Sequence, residues 1–110
     1  MITVLHYQDE TGKLPFAVWF EGLDAPVARK VQAAIEQVAA GNMSEVKSVG
    51  SGVMERRIHW GPGYRVYFGR DGDRLVILLA GGTKQRQSAD IANARSRWED
   101  YMKRSRRKDS

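Results

Sequence analysis

The chain has 110 residues, no cysteine, 28% charged residues and a formal net charge of +5. That length is enough for one domain with a single core. The lack of cysteine excludes a disulfide framework and thiol chemistry and fits a reducing cytoplasm, while the N-terminal residues show neither the basic start and apolar run of a signal peptide nor a membrane span. The charge is unevenly placed. Residues 1–45 carry a net −3, residues 46–97 hold ten Lys or Arg against four acids, and the rest adds +2. Such a bias favours a polyanionic partner.

In chain order, residues 2–7 alternate as a short first strand, and residues 9–13 form a turn. Pro15 suits a first helical position, and Phe16, Trp19, Phe20 and Leu23 then recur at helical spacing as the buried face of a short helix. Asp24 is placed to cap a second helix whose stripe is Val27, Val31, Ile35 and Val38, ended by Gly41-Asn42. Residues 43–52 read as a polar loop containing Lys47. Three strand-like runs follow, residues 53–60, 64–68 and 75–79. The first connection is Gly61-Pro62-Gly63, and the second is Arg70-Asp71-Gly72-Asp73. The third run has no polar position, so it is expected to be central and covered on both faces. A last helix is expected to begin between Thr83 and Ser88 and to bury Ile91, Ala94, Trp98 and Tyr101 or Met102.

These elements predict an α+β domain over residues 1–102, a helical hairpin on one face of a mainly antiparallel sheet, and a basic tail over 103–110. With the hairpin covering one face, the other is expected to stay open as a shallow, concave, basic surface. Arg57 and Arg65 lie on consecutive antiparallel strands and become cross-strand neighbours on one face. Planar guanidinium groups in such a pair suit phosphate. Glu55 or Asp90 could instead pair with either arginine across the sheet. His59 shares the parity of Arg57 and titrates in a range suited to proton transfer, although a histidine beside a turn is more often a plain surface residue. Lys84 follows Gly81-Gly82, where a flexible backbone can approach a ligand. Gly-Gly-Thr-Lys is not a nucleotide-binding loop, and two distant histidines without cysteine argue against zinc, so neither metal nor cofactor is expected.

The segments Gly41-Asn42, residues 49–53, Glu55-Arg56-Arg57-Ile58, Gly61-Pro62-Gly63-Tyr64-Arg65-Val66-Tyr67-Phe68, Leu78-Leu79-Ala80-Gly81-Gly82 and Lys84-x-x-Gln87-x-x-Asp90-Ile91, with Pro15-Phe16-x-x-Trp19, are ordered along nearly the whole chain. Together they resemble the addiction-module killer proteins, the phage-related, HigB-like members of the RelE/ParE toxin superfamily. The resemblance implies a RelE-like β-α-α-β-β-β-α fold and the toxin half of a type II toxin–antitoxin pair. Its implied partner is a small antitoxin carrying a helix-turn-helix. For RelE-like relatives it implies metal-independent cleavage of mRNA at the ribosome, which inhibits translation. For ParE-like relatives it implies poisoning of DNA gyrase without catalysis, and a catalytically silent binding protein is a third possibility. Carried over to this chain, Arg65 in Gly-Tyr-Arg is the nearest match to a catalytic position, with Arg57, Lys84 and His59 beside it. Lys47, Arg86 and Gln87 are the expected RNA contacts. Ile91 stands where some relatives have a catalytic tyrosine, and Thr83 where the family pattern has aspartate.

Overall fold

A computed structural model describes residues 2–72 and 75–108. Strand β1 (Thr3–His6) enters a turn held by the Asp9 carboxylate, which accepts from the backbone N–H groups of Thr11 and Lys13. Helices α1 (Pro15–Glu21) and α2 (Ala25–Ala39) follow, then strands β2 (Val46–Gly50), β3 (Val53–Ile58), β4 (Tyr64–Asp71) and β5 (Leu75–Thr83). A 3-10 turn at Lys84–Arg86 leads into α3 (Gln87–Lys108). The strands lie in the order β1-β5-β4-β3-β2, antiparallel throughout except that β1 runs parallel to β5. The architecture is the expected α+β, with the helical hairpin on one face. Among the described residues no helix is long and apolar enough to cross a membrane.

One expected loop is a strand. Residues 46–50 pair antiparallel with β3 at the sheet's edge, making five strands rather than four. Edge positions such as Lys47 and Ser48 are exposed and polar, so composition alone resembles a loop. The hairpin closes through Gly50-Ser51-Gly52, all three with positive φ, a conformation glycine adopts freely. The other connections agree better with expectation, although Asp73 of the second predicted turn lies outside the described residues. Asp24 sits at the cap position of α2 but makes no side-chain cap hydrogen bond.

The sheet separates two apolar clusters. On one face, Phe16 of α1 and Val27, Val31, Ile35 and Val38 of α2 pack on Ile58, Val66, Phe68, Val76 and Leu78. On the other, Ala94 and Trp98 of α3 pack on Val53, Tyr67, Ile77, Leu79 and Ala80. The expectation of an open second face is therefore overturned. Strand β5 is apolar at both parities, so each face of it requires a cover, and α3 supplies the second one. Two glycines seat the tryptophans at close quarters. A Cβ at Gly69 would come within 2.3 Å of the Trp98 ring, and one at Gly81 within 2.1 Å of Trp19.

Helix α3 runs on to Lys108, through the segment expected as a tail, with Lys103 paired to Glu99 at 3.1 Å. There it is tied to the first strand. The Tyr7 hydroxyl donates to Asp100 at 2.6 Å, and Arg104 binds both Asp100 and the carbonyl of Gln8. Burial, then the bond to Asp100, pushes the Tyr7 phenol up to about 12. What α3 leaves uncovered is the end of the sheet beside the β3–β4 turn, where its own N-terminus begins.

Candidate functional site

Strand register brings the charged residues of the meander onto one face. Arg57 faces Arg65 and Glu55 faces Tyr67 across β3 and β4; Lys47 lies beside Glu55, and Gly82 beside Arg65. A side-chain period of two keeps these on the α3 side of the sheet. Glu55 is fully buried at their centre. Its carboxylate accepts from the Tyr67 hydroxyl at 3.0 Å and from Gln87 Nε2 at 2.9 Å. Arg65 Nε lies 3.4 Å away and Lys47 Nζ 3.7 Å away. A carboxylate out of water needs such partners, because an unpaired one would neutralise or unfold its surroundings. The pairing of Arg65 with Glu55, one of the alternatives read from the sequence, is therefore present. It holds the guanidinium at its stem and sets its direction.

The tips point towards the β3–β4 turn. A Cβ at Gly63 would lie 3.9 Å from Arg65 Nη1 and 3.7 Å from Lys84 Cβ, so the turn backbone sits against the Arg65 guanidinium and the stem of Lys84. Lys84 is pinned there by its backbone N–H, which donates to the Gly63 carbonyl at 2.9 Å. Arg57, Arg65 and Lys84, with His59, Trp60 and Tyr64, line a depression of about 400 Å³. The buried Nε of Arg57 has no hydrogen-bond partner among the described residues. Three cationic residues line one hollow, with the Glu55 carboxylate behind them, a charge arrangement that suits an oxyanion.

Two further titratable groups differ in their relation to this hollow, His59 lining it and Tyr67 lying buried behind it. His59 is on its rim, and its Nε2 lies 2.9 Å from Glu45 Oε2, a contact that holds the Glu45 carboxyl below its usual range. Burial, reinforced by its bond to Glu55, pushes the Tyr67 phenol far above its ordinary value. Tyr67 therefore stays protonated at neutral pH and serves as a donor.

Of the residues singled out from the sequence, Arg57, Arg65, Lys84 and His59 meet at the hollow, and Lys47 and Gln87 join them through Glu55. Arg86 does not. It lines a second depression of about 280 Å³ with Trp19, Gly82, Asp90 and Arg97. Sequence reasoning treated Glu55 only as a pairing partner and Tyr67 only as a strand aromatic. The available signal was that Glu55 is the sole acid between residues 46 and 70, in a stretch rich in arginine.

Residues 18–99 match the family of phage-derived Gp49-like proteins. An uncharacterized protein of Haemophilus influenzae is 42% identical over 83 residues, spanning 74% of this chain and 84% of that protein. The family match takes in every residue of both depressions except Pro15.

Proposed function

From the premise that this chain belongs to the Gp49-like family, part of the RelE/HigB-like toxins and associated with toxin–antitoxin pairs, we propose that it is an endoribonuclease that cuts mRNA on the ribosome. The family implies an antitoxin partner, and that partner restrains the activity. The observation that carries this reading is the convergence of Arg57, Arg65 and Lys84 on one hollow, with Arg65 aimed by a buried carboxylate.

The chemistry draws its nucleophile from the substrate. The 2′-oxygen attacks the adjacent phosphorus, the bond to the 5′-oxygen breaks, and a 2′,3′-cyclic phosphate forms. One proton leaves the 2′-hydroxyl and one reaches the departing oxygen. Arg65 and Arg57 stabilise the charge that builds on the phosphorane oxygens, with Lys84 as a third, less directional cation. His59, on the rim, is the group placed to pass a proton to or from the substrate. Lys47 and Gln87 extend the same face along the RNA strand.

Arg65→Ala tests this directly. Loss of a transition-state donor costs on the order of 3 kcal/mol, so cleavage of a reporter mRNA should fall about a hundredfold. Growth inhibition on induction should disappear, while antitoxin binding persists. Arg65→Lys should recover little, because an ammonium lacks the two-pronged geometry. A folded Arg65→Ala protein that still cuts at the native rate would refute the phosphate role. Failure of DNA supercoiling before translation stops would instead assign the basic surface to gyrase.

A further inference from the structure

The second depression is not used by the chemistry above, and its floor is unusual. Strand β1 pairs with β5 only as far as Leu78, whose carbonyl accepts from Tyr7. Among the described residues, 79–83 of β5 therefore have no strand neighbour on that side, and Arg97 Nη1 reaches in to donate to the Leu79 carbonyl at 2.9 Å. Half-buried Trp19 stands on one flank, and Asp90, Asn93 and Arg97 of α3 on the other.

Asp90 is 8% exposed, and its Oδ2 has no hydrogen-bond partner among the described residues. The carboxylate lies so close over β5 that a Cβ at Gly82 would be 1.9 Å from Oδ2. A buried, unsatisfied acceptor is costly, and one carried by a residue that lines a hollow calls for a donor from outside. Arg86 and Arg97 are the charged neighbours acting on it, but neither forms an ion pair with it. Their positive field disfavours an incoming ammonium or guanidinium, so the fitting ligand is a neutral, planar group with adjacent N–H donors. Among nucleobases only guanine presents two such donors side by side, N1–H and the exocyclic N2 amine. Adenine and cytosine set an acceptor beside their amine, which a carboxylate repels.

We propose that this depression is a guanine-recognition subsite for single-stranded RNA, with Asp90 accepting from N1–H and N2–H, Trp19 giving the base a ring to lie against and Arg86 facing the neighbouring phosphate. The proposal rests on the RNA-cleaving reading above. The two depressions meet along one short run, since Gly82 and Thr83 line this one, Lys84 lines the other and Gly82 is the cross-strand partner of Arg65. One strand of RNA thus reaches a base site and a phosphate site together, the usual arrangement for reading single strands through base edges and aromatic faces.

The test uses the full chain and RNA hexamers blocked by 2′-O-methylation, so that binding is measured without cleavage. An oligoadenosine hexamer holding one guanosine should bind roughly tenfold more tightly than the all-adenosine hexamer. Inosine, which lacks the N2 amine, should fall between them. Asp90→Asn, nearly isosteric, should abolish the preference for guanosine. Equal binding of the guanosine and adenosine hexamers, or a preference that survives in Asp90→Asn, would overturn the subsite even if cleavage is intact. Discrimination by the wild type, lost in Asp90→Asn, without any mRNA cleavage would uphold the subsite and sink only the catalytic reading. Absence of hexamer binding, with Asp90→Asn instead weakening the antitoxin complex, would make the depression a protein contact and overturn the proposal.

Discussion

Two buried acids, Glu55 and Asp90, set the behaviour of the site at the scale of single residues, and they do so in opposite ways. Glu55 is surrounded by donors, so truncation leaves Arg65, Tyr67 and Gln87 unpaired in a dry place. Glu55→Ala should cost about 3–5 kcal/mol of stability, read as a lower denaturation midpoint. Glu55→Gln keeps the shape and most of the bonding, so it should fold yet lose activity as Arg65 loses its anchor. A Glu55→Gln protein with native cleavage would show that Arg65 needs no such aim. Asp90 has no such shell, and burial raises its carboxyl above the usual range. The folded chain therefore holds the Asp90 proton to higher pH than the unfolded chain. Between the two values the folded state binds more protons, so stability falls as pH rises through that window. Asp90→Asn removes the cost and should melt above the parent at pH 7. The gain should vanish in acid, below the ordinary carboxylate range, where both chains are neutral at this position. Melting curves across that pH range decide the matter.

Helix α3 is the element that joins packing to the site. Trp98 fills the space left by Gly69 and Gly52 and stacks on Tyr101 at 5.3 Å, while Gln87, at the helix start, reaches Glu55. Trp98→Ala should cost about 3–5 kcal/mol and weaken cleavage beyond its effect on stability, because the Gln87 bond depends on the helix lying down. Calorimetry and single-turnover cleavage below the melting range would separate the two effects. The stripes of α1 and α2 and the two-faced apolar strand β5 were legible in the sequence because burial repeats at fixed periods. Arg57 and Arg65 could be paired because one short turn fixes their register. Strand β2 was not legible, since an edge strand is held by backbone bonds that leave no mark on side-chain composition. The course of α3 across the second face was implied by β5 and overlooked. The depression around Asp90 was out of reach because it brings together α1, β5 and α3, a meeting that no local pattern encodes.

For the whole molecule, the sheet divides the charge as well as the core. The acidic N-terminal part supplies the helical hairpin, and the basic part supplies the meander and the hollow. The parallel pairing of β1 with β5, Thr3 against Leu75, closes this arrangement, and Tyr7 and Asp100 fasten it at the far end. That pairing also imposes an order in time. The first strand to be synthesised has no partner until the last one has been made, and pairing between such distant segments is intrinsically slow. Arg57 and Arg65 are made well before Gln87 and Trp98, which complete the setting of Glu55 and cover the second face. A half-made chain thus carries its cations without the frame that aims them, and that frame is assembled only as synthesis of the chain ends.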